Sequence, residues 1–367
     1  MSAAAPTPGE ELEFLGRLRL LLADGAFVST YKFALLRAIA DECVERAETL
    51  EALPIGIERL GERFVALYWR QAKPYGVGAD GPTVVQGQLL QNTGAQAGVL
   101  KLVAEEQRST PLLSELQRDA RAWRKLKGSV AQVVKRMPLY KLQTVAGKKV
   151  EFLYPERPAE DHISLNPGVA WLFRKYHDLA RDLIEVAWIR FIQVLPRNAQ
   201  LLSQGRELGE FLFGAERKAL ARVAEVLHAH QGGRCFYCDR PILGAPHADH
   251  FIPWSRYPLD LGHNFVLSDA ACNLDKRTWL PAAAHLSRWV ERNLIAGRAL
   301  QDAMMPAGMA SHLPRTLAVA QWAYSADFAS GAATWLGRTR RIEPARPECI
   351  MIVARGARSA TEAPRRP

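Results

Sequence analysis

Apolar side chains recur at intervals of three and four residues through most of the chain up to residue 214, which is the spacing of amphipathic helices. One such segment follows Asn166 and Pro167, a helix-capping residue and a proline suited to the first helical position, and it must end near Pro196. Residues 148–154 instead alternate polar and apolar side chains, as a strand does. The first 214 residues are therefore predicted to be mainly helical.

The pattern changes after residue 214. Helical spacing over about 215–230 is followed by two short strand-like segments and then by another helix. The first strand ends at the pair Asp249-His250, and the second begins at the pair His263-Asn264. Further helical segments follow up to about residue 336. This part of the chain is predicted to contain a small α+β module with helices on its C-terminal side.

The fold class that these patterns predict is mainly α with a small α+β module. A chain of 367 residues is long enough for two or three domains. We predict a helical N-terminal domain over 1–214, the α+β module over 215–303 and a helical C-terminal extension over 304–367. The last 30 residues contain eight arginines and show no periodicity beyond Val353, so they are predicted to be a disordered, Arg-rich tail.

Composition places the chain among ordinary globular proteins, with 48% hydrophobic and 23% charged residues. No apolar run approaches the roughly 20 residues that span a bilayer, and the N-terminus lacks the features of a secretory signal. The five cysteines are odd in number and unevenly spaced, which is a poor framework for disulfides. We therefore expect a cytoplasmic protein without a membrane partner.

The net charge of +10 is concentrated in one stretch. Residues 121–150 contain nine lysines or arginines and no acidic residue. Clustered cations of this kind favour a nucleic-acid partner, because each phosphate contact releases counterions. A solvated helix face or a surface for a protein partner are the alternatives. The candidate nucleic-acid-binding residues in this stretch are Arg124, Lys125, Lys127, Lys135 and Arg136.

A group of functional residue types lies between Cys235 and Lys276. It contains, in chain order, a C-x-x-C motif, an Asp-His pair, an asparagine at the start of the second strand, a Cys-Asn pair and a lysine: Cys235, Cys238, Asp249, His250, Asn264, Cys272, Asn273 and Lys276. The residue types, their order and their spacing resemble the HNH (ββα-metal) endonucleases. The resemblance covers this segment and its flanking helices and leaves residues 1–214 unassigned.

The resemblance implies a metal-dependent hydrolysis of phosphodiester bonds. By that resemblance Asp249 and Asn273 are the ligands of Mg²⁺ or Mn²⁺, His250 is the general base, and Asn264 orients the loop that carries the base. A neutral imidazole can accept a proton from water near pH 7, and oxygen ligands suit these two ions.

Two further expectations concern where the side chains of the motif lie in the folded protein. Successive side chains of a regular strand point to opposite faces, so a bulge or a twist is expected if Asp249 and His250 serve one site. Lys276 and Arg256 are expected to contact the phosphates of the substrate.

Cys235 and Cys238 resemble the first half of the zinc site that many HNH modules carry. The second half departs from the family pattern, because Cys272 is preceded by Asp269 where a cysteine is usual. Aspartate can bind zinc, so a structural Zn²⁺ held by Cys₂-Asp-Cys is predicted. Alternatively, Asp269 is only the N-cap of the following helix.

Two classes of function remain open from the sequence. The first is an HNH endonuclease acting on nucleic acid, with DNA favoured over RNA, in a process such as restriction or antiviral (phage) defence. The second is a zinc-stabilised nucleic-acid-binding protein without catalytic activity. A protein partner and a homo-oligomer are both compatible with the sequence.

Overall fold

The chain folds into two compact units, Met1–Gly214 and Ala215–Pro367. The computed structural model describes residues 4–25, 27–46, 48–76, 87–145, 147–155, 160–203, 207–214, 217–339 and 341–362. Helices dominate both units, and every sheet within these residues has two strands, which confirms a mainly α protein with small β elements. None of the helices in the described ranges combines the length and apolar character that a membrane crossing requires.

The first unit is built from helices and two antiparallel strand pairs, β1 with β4 and β2 with β3. Its elements are α1 (Pro8–Asp24), α2 (Tyr31–Val44), β1 (Leu53–Gly56), α3 (Ile57–Gln71), α4 (Gly98–Ser109), α5 (Leu113–Arg118), α6 (Ala120–Arg136), α7 (Pro138–Lys141), β2 (Thr144–Val145), β3 (Lys148–Lys149), β4 (His162–Leu165), α8 (Val169–Lys175), α9 (His177–Gln193), α10 (Ala199–Leu202) and α11 (Leu208–Phe213). The helix predicted after Pro167 is two helices, because the backbone leaves helical geometry at Tyr176 (φ −108°, ψ 24°).

Helix α2 lies at the centre of the first unit, and all fourteen of its residues are buried. It nevertheless carries charged residues, which are paired with neighbouring helices: Arg63 of α3 bonds Glu42 at 2.7 Å, and His177 of α9 lies 3.0 Å from Asp41. Burial by itself would raise the pKa of Asp41, but the adjacent Arg37 and the hydrogen bond with His177 hold that pKa well below its ordinary value. Pairing therefore allows these charges to lie in the core.

The second unit contains a strand–loop–strand–helix segment between longer helices. Its elements are α12 (Arg217–His230), β5 (His247–His250), β6 (Phe265–Ser268), α13 (Ala270–Lys276), α14 (Ala283–Met304), α15 (Leu313–Ser330), β7 (Ala333–Gly337), β8 (Arg341–Pro344) and α16 (Pro347–Glu362). Apolar residues of α12, β6 and α14, including Val223, Leu267 and Leu300, form one of its core clusters. The order β5–β6–α13 is the one that the sequence predicts.

The Arg-rich C-terminal segment differs from its prediction as a disordered tail. Residues 341–362 form β8 and α16, and α16 packs against α14 and α15. Cys349 and Val353 are buried, and the backbone at Gly356 approaches α14 so closely that a Cβ there would lie 2.5 Å from Val290. Positions 349, 353 and 356 share one helix face, and the apolar residues at 350–352 obscure this spacing in the sequence. Residues 363–367 lie outside the described residues.

Candidate functional site

Strands β5 and β6 form a regular antiparallel pair, with Asp249 opposite Val266 and His250 opposite Phe265. The expected bulge does not occur in this pair, since its register is continuous from residue 247 to residue 250. Asp249 and His250 consequently point to opposite faces and contact different groups. The regular strand therefore does not bring the side chains of Asp249 and His250 to the same side of the sheet, as a single site would need.

Asp249 is buried at the junction of β5 and α13. Its Oδ2 atom accepts a hydrogen bond of 2.5 Å from the hydroxyl of Tyr237. The ammonium of Lys276 lies 3.1 Å from Oδ2 and 3.3 Å from Oδ1, and it also donates to the carbonyl of His250 at 2.8 Å. The negative charge of Asp249 is thus balanced by a residue of the chain itself.

The structure places Lys276 and Arg256 differently from their expected role as phosphate contacts. The Lys276 side chain is only 1% exposed, because α13 packs against β5 and directs it inward to Asp249. Arg256 forms an ion pair with the buried carboxylate of Asp327 on α15. Both cations are therefore used within the second unit.

His250 is held on three sides. Its Nε2 atom lies 2.8 Å from Oδ1 of Asp260, in the loop that follows β5. The ring also packs against Trp254 and Phe265, with centroid distances of 5.2 and 4.3 Å. Within the described residues, Nδ1 makes no hydrogen bond. Sequence reasoning missed Asp260, since no motif spacing marks it.

Asn264 connects the two strands. Its side-chain amide donates to the carbonyl of Ile252 at 2.9 Å, and its Oδ1 accepts from the backbone N–H of Ile252 at 2.8 Å. Its backbone carbonyl accepts from Phe251 at 2.8 Å. Asn264 therefore fixes the start of the loop that follows His250.

Asn273 is half-buried on α13, three residues before Lys276, so the two side chains share a helix face. In the described part of the chain its amide makes no hydrogen bond and can serve as a ligand. Asp249, the other expected ligand, is already paired with Lys276. The residues present therefore fit a divalent cation only in part.

The predicted zinc residues come together. One ligand atom from each of Cys235, Cys238, Asp269 and Cys272 lies within 4.8 Å of all the others. Three thiols and a carboxylate are a donor set that suits Zn²⁺. In a tetrahedral zinc site with Zn–S bonds of about 2.3 Å, the sulfur atoms lie about 3.8 Å from one another. A hydrogen bond from the Cys272 thiol lowers the pKa of Cys235 to about 6, which favours the thiolate that binds metals.

Asp269 is the N-cap of α13, and its position is also compatible with metal binding. Its Oδ1 atom accepts from the backbone N–H of Cys272 at 2.8 Å, which caps α13. Its Oδ2 atom accepts from the thiol of Cys238 at 3.2 Å and faces the cysteines. The cap therefore uses one oxygen of the carboxylate, and the other oxygen is the one that faces the cysteines.

The basic stretch of the first unit lies mainly on α6. Leu126, Val130 and Val134 are buried on its inner face. Three of the five candidate cations, Arg124, Lys125 and Arg136, are exposed. The other two are near acidic residues: Lys127 lies 3.2 Å from Glu58, and Lys135 lies 3.9 Å from Glu160.

Residues 11–210 match the family model described as Domain of unknown function (DUF8808). Because this match covers more than half of the chain, the protein belongs to that family. No curated protein and no solved structure matches the chain. The β5–β6–α13 segment lies outside the matched residues.

Proposed function

We propose that this protein is a metal-dependent HNH (ββα-metal) endonuclease that hydrolyses phosphodiester bonds in nucleic acid, with DNA favoured over RNA. The observation that carries the proposal is the strand–loop–strand–helix order in which β5 ends at Asp249 and His250, Asn264 precedes β6, and Asn273 lies on α13. The cytoplasmic location proposed here comes from the composition and cysteine pattern, whereas a role in restriction or antiviral defence comes from the HNH resemblance.

In this proposal His250 is the general base. Its ring accepts a proton from a water molecule, and the resulting hydroxide forms a new P–O bond at the scissile phosphate. The bond from phosphorus to the leaving oxygen then breaks, and that oxygen takes a proton from solvent. Base catalysis of this kind contributes roughly 10² to 10⁴ to the rate.

Mg²⁺ or Mn²⁺ at Asp249 and Asn273 is also part of the proposal, and such an ion supplies positive charge against the developing negative charge of the phosphate. The Lys276 ammonium must then share Asp249 with the ion or move away from it. The structural Zn²⁺ belongs to the proposal as well, with Cys235, Cys238, Cys272 and Asp269 as its ligands.

A second candidate is a zinc-stabilised nucleic-acid-binding protein without catalytic activity. The Asp249–Lys276 pair favours this alternative, because Asp249 is neutralised within the chain and needs no catalytic ion. The two candidates differ in whether His250 is needed for anything beyond folding.

The deciding experiment is a cleavage assay of the full chain on plasmid, linear and single-stranded DNA and on RNA, with and without Mg²⁺ or Mn²⁺. We expect cleavage that requires the ion and falls by at least about 10²-fold in His250→Ala, with nucleic-acid affinity unchanged. His230→Ala, at an exposed histidine of α12, is the matched control. Wild-type protein that binds DNA but leaves every substrate intact would establish the non-catalytic alternative.

A further inference from the structure

The environment of His250 contains a carboxylate that the HNH resemblance does not supply. Asp260 lies ten residues after His250, and its Oδ1 atom is 2.8 Å from Nε2 of the ring. The side chains are 11% and 22% exposed, respectively, so water competes poorly for this hydrogen bond. A surface ion pair between mobile side chains would not be enclosed to this extent.

The loop that carries Asp260 is fixed at both ends. Asn264 bonds both backbone groups of Ile252 near its beginning. Near its end, the N–H of Gly262 donates to the carbonyl of Ala310 at 2.8 Å. A Cβ at Gly262 would lie 2.0 Å from the Ser311 hydroxyl and 3.4 Å from the Ala310 carbonyl oxygen, so the loop passes close to residues 310 and 311. Asp260, two residues earlier, is held in a defined position.

The hydrogen bond determines which nitrogen of His250 carries the proton. An ionised carboxylate is only an acceptor, so Nε2 must be the donor. In the neutral ring Nδ1 then has the free lone pair, and Nδ1 makes no hydrogen bond within the described residues. The ring contacts with Trp254 and Phe265 hold its plane while Asp260 fixes its rotation.

We infer that Asp260 is the positioning residue of a His250–Asp260 dyad: it holds the ring as the Nε2–H tautomer and leaves Nδ1 as the atom that takes the proton from water. This inference rests on the proposed nuclease function for its catalytic meaning. The proton moves from water to Nδ1, while the Nε2 proton remains between the ring and Asp260. Asp260 does not touch the substrate and acts only through His250.

The test uses the full chain labelled with ¹⁵N-histidine, with the His250 signals assigned by their loss in His250→Gln. Long-range ¹H–¹⁵N correlation spectra report which ring nitrogen is protonated. We expect only Nε2–H in the wild type. In Asp260→Asn the amide can donate to Nε2, so the Nδ1–H tautomer is expected to appear. This readout does not depend on cleavage.

The kinetic arm compares single-turnover cleavage and DNA affinity. Asp260→Asn should slow cleavage by about 10² to 10⁴-fold, as a wrong tautomer does in a catalytic triad, with Kd for DNA within about twofold of wild type. Asp302→Asn, at an exposed aspartate of α14 that pairs with Arg298, is the control.

The possible results separate the inference from the proposed function. A wild-type Nδ1–H tautomer overturns the dyad even if Asp260→Asn fails to fold. Cleavage by a folded Asp260→Asn protein at the wild-type rate overturns it as well. Loss of the proposed function is a different outcome. If the wild type cuts no substrate but His250 is still the Nε2–H tautomer, the His250–Asp260 hydrogen bond is confirmed and the nuclease function is wrong.

Discussion

At the residue scale, the buried pair of Asp249 and Lys276 shows that the motif predicts the residue types of the site but not their side-chain partners. The lysine was recognised by its spacing, but its side chain turns inward to a carboxylate 27 positions earlier. Tyr237 donates to the same carboxylate and has no counterpart in the sequence prediction. Motif spacing identifies residue types. The partner of each side chain depends on the conformation of the loops between the motif residues, which is known only from the folded chain.

Replacing Lys276 with methionine should destabilise the second unit by about 3–5 kcal/mol, because a buried carboxylate would lose its counter-charge. Denaturant unfolding of the variant without added divalent cation measures this loss. Arg298→Met removes one partner of an exposed pair and is expected to change stability by less than about 1 kcal/mol.

Adding Asp249→Asn to Lys276→Met should restore part of the lost stability, since the double variant no longer leaves a charge unpaired. Unfolding of Lys276→Met at the wild-type denaturant concentration would contradict the prediction. It would mean that water, or another cation, compensates Asp249 in solution.

At the element scale, the cysteine cluster and α13 share Asp269, and this makes the two roles of that residue separable by mutation. Asparagine caps a helix about as well as aspartate, but it lacks the negative charge of a zinc ligand. We expect wild-type protein to retain close to one zinc per chain. Asp269→Asn should lose zinc to a chelator at lower concentrations than wild type while unfolding similarly when zinc is in excess.

The controls for the zinc experiment are two nearby substitutions. Asp239→Asn changes an exposed aspartate beside the cysteine pair, which bonds Arg234, and should retain zinc as wild type does. Cys235→Ser removes a thiol and should release zinc and destabilise the segment, because a ββα unit of this size buries little apolar surface. Equal zinc retention by Asp269→Asn and wild type would leave Asp269 as a cap only.

The sequence predicted some elements better than others. The order β5, β6, α13 followed from the change of apolar spacing along the segment, and the early helices followed from amphipathic patterns. The break at Tyr176 was not predictable, because both faces of that segment are apolar and the periodicity continues through it. Helix α16 was missed for a different reason. Among its described residues only Cys349, Val353 and Gly356 are buried, and the apolar residues Ile350, Met351 and Ile352 between them obscure that spacing.

At the scale of the whole molecule, the net charge of +10 raises the question of which cations are available to a polyanion. From the sequence, five residues of the basic stretch are equally good candidates for binding nucleic acid. The structure distinguishes them, because Lys127 and Lys135 lie near Glu58 and Glu160, while the other three are exposed and form no ion pair with a described residue. Only the folded chain could make this distinction.

The triple variant Arg124→Gln, Lys125→Gln and Arg136→Gln should weaken binding of the full chain to DNA across all sequences. It should also flatten the dependence of log K on log salt by about 0.9 for each phosphate that is no longer neutralised. The double variant Lys127→Gln and Lys135→Gln is the matched control and should change the slope less, since these cations are partly neutralised. Filter binding or fluorescence anisotropy between 50 and 200 mM salt, roughly the range over which such effects are large, measures both.

An unchanged affinity and salt slope in the triple variant would assign this face to solvent or to a protein partner. Cleavage by complexes that still form should continue in either case, because the variant leaves His250 and Asp260 intact.

The enclosed helix α2 has a consequence for how this family diverges. Glu42 is shared by Arg46, Arg59 and Arg63, so replacing Glu42 removes one counter-charge from three arginines at once, and Arg63 among them is buried. Such a loss, about 3–5 kcal/mol, is a large part of the roughly 5–15 kcal/mol that keeps a typical protein folded. Replacing the whole set with apolar residues is tolerated far better. We therefore expect members of the family that have lost the carboxylate at position 42 to have replaced the buried arginine at position 63 as well.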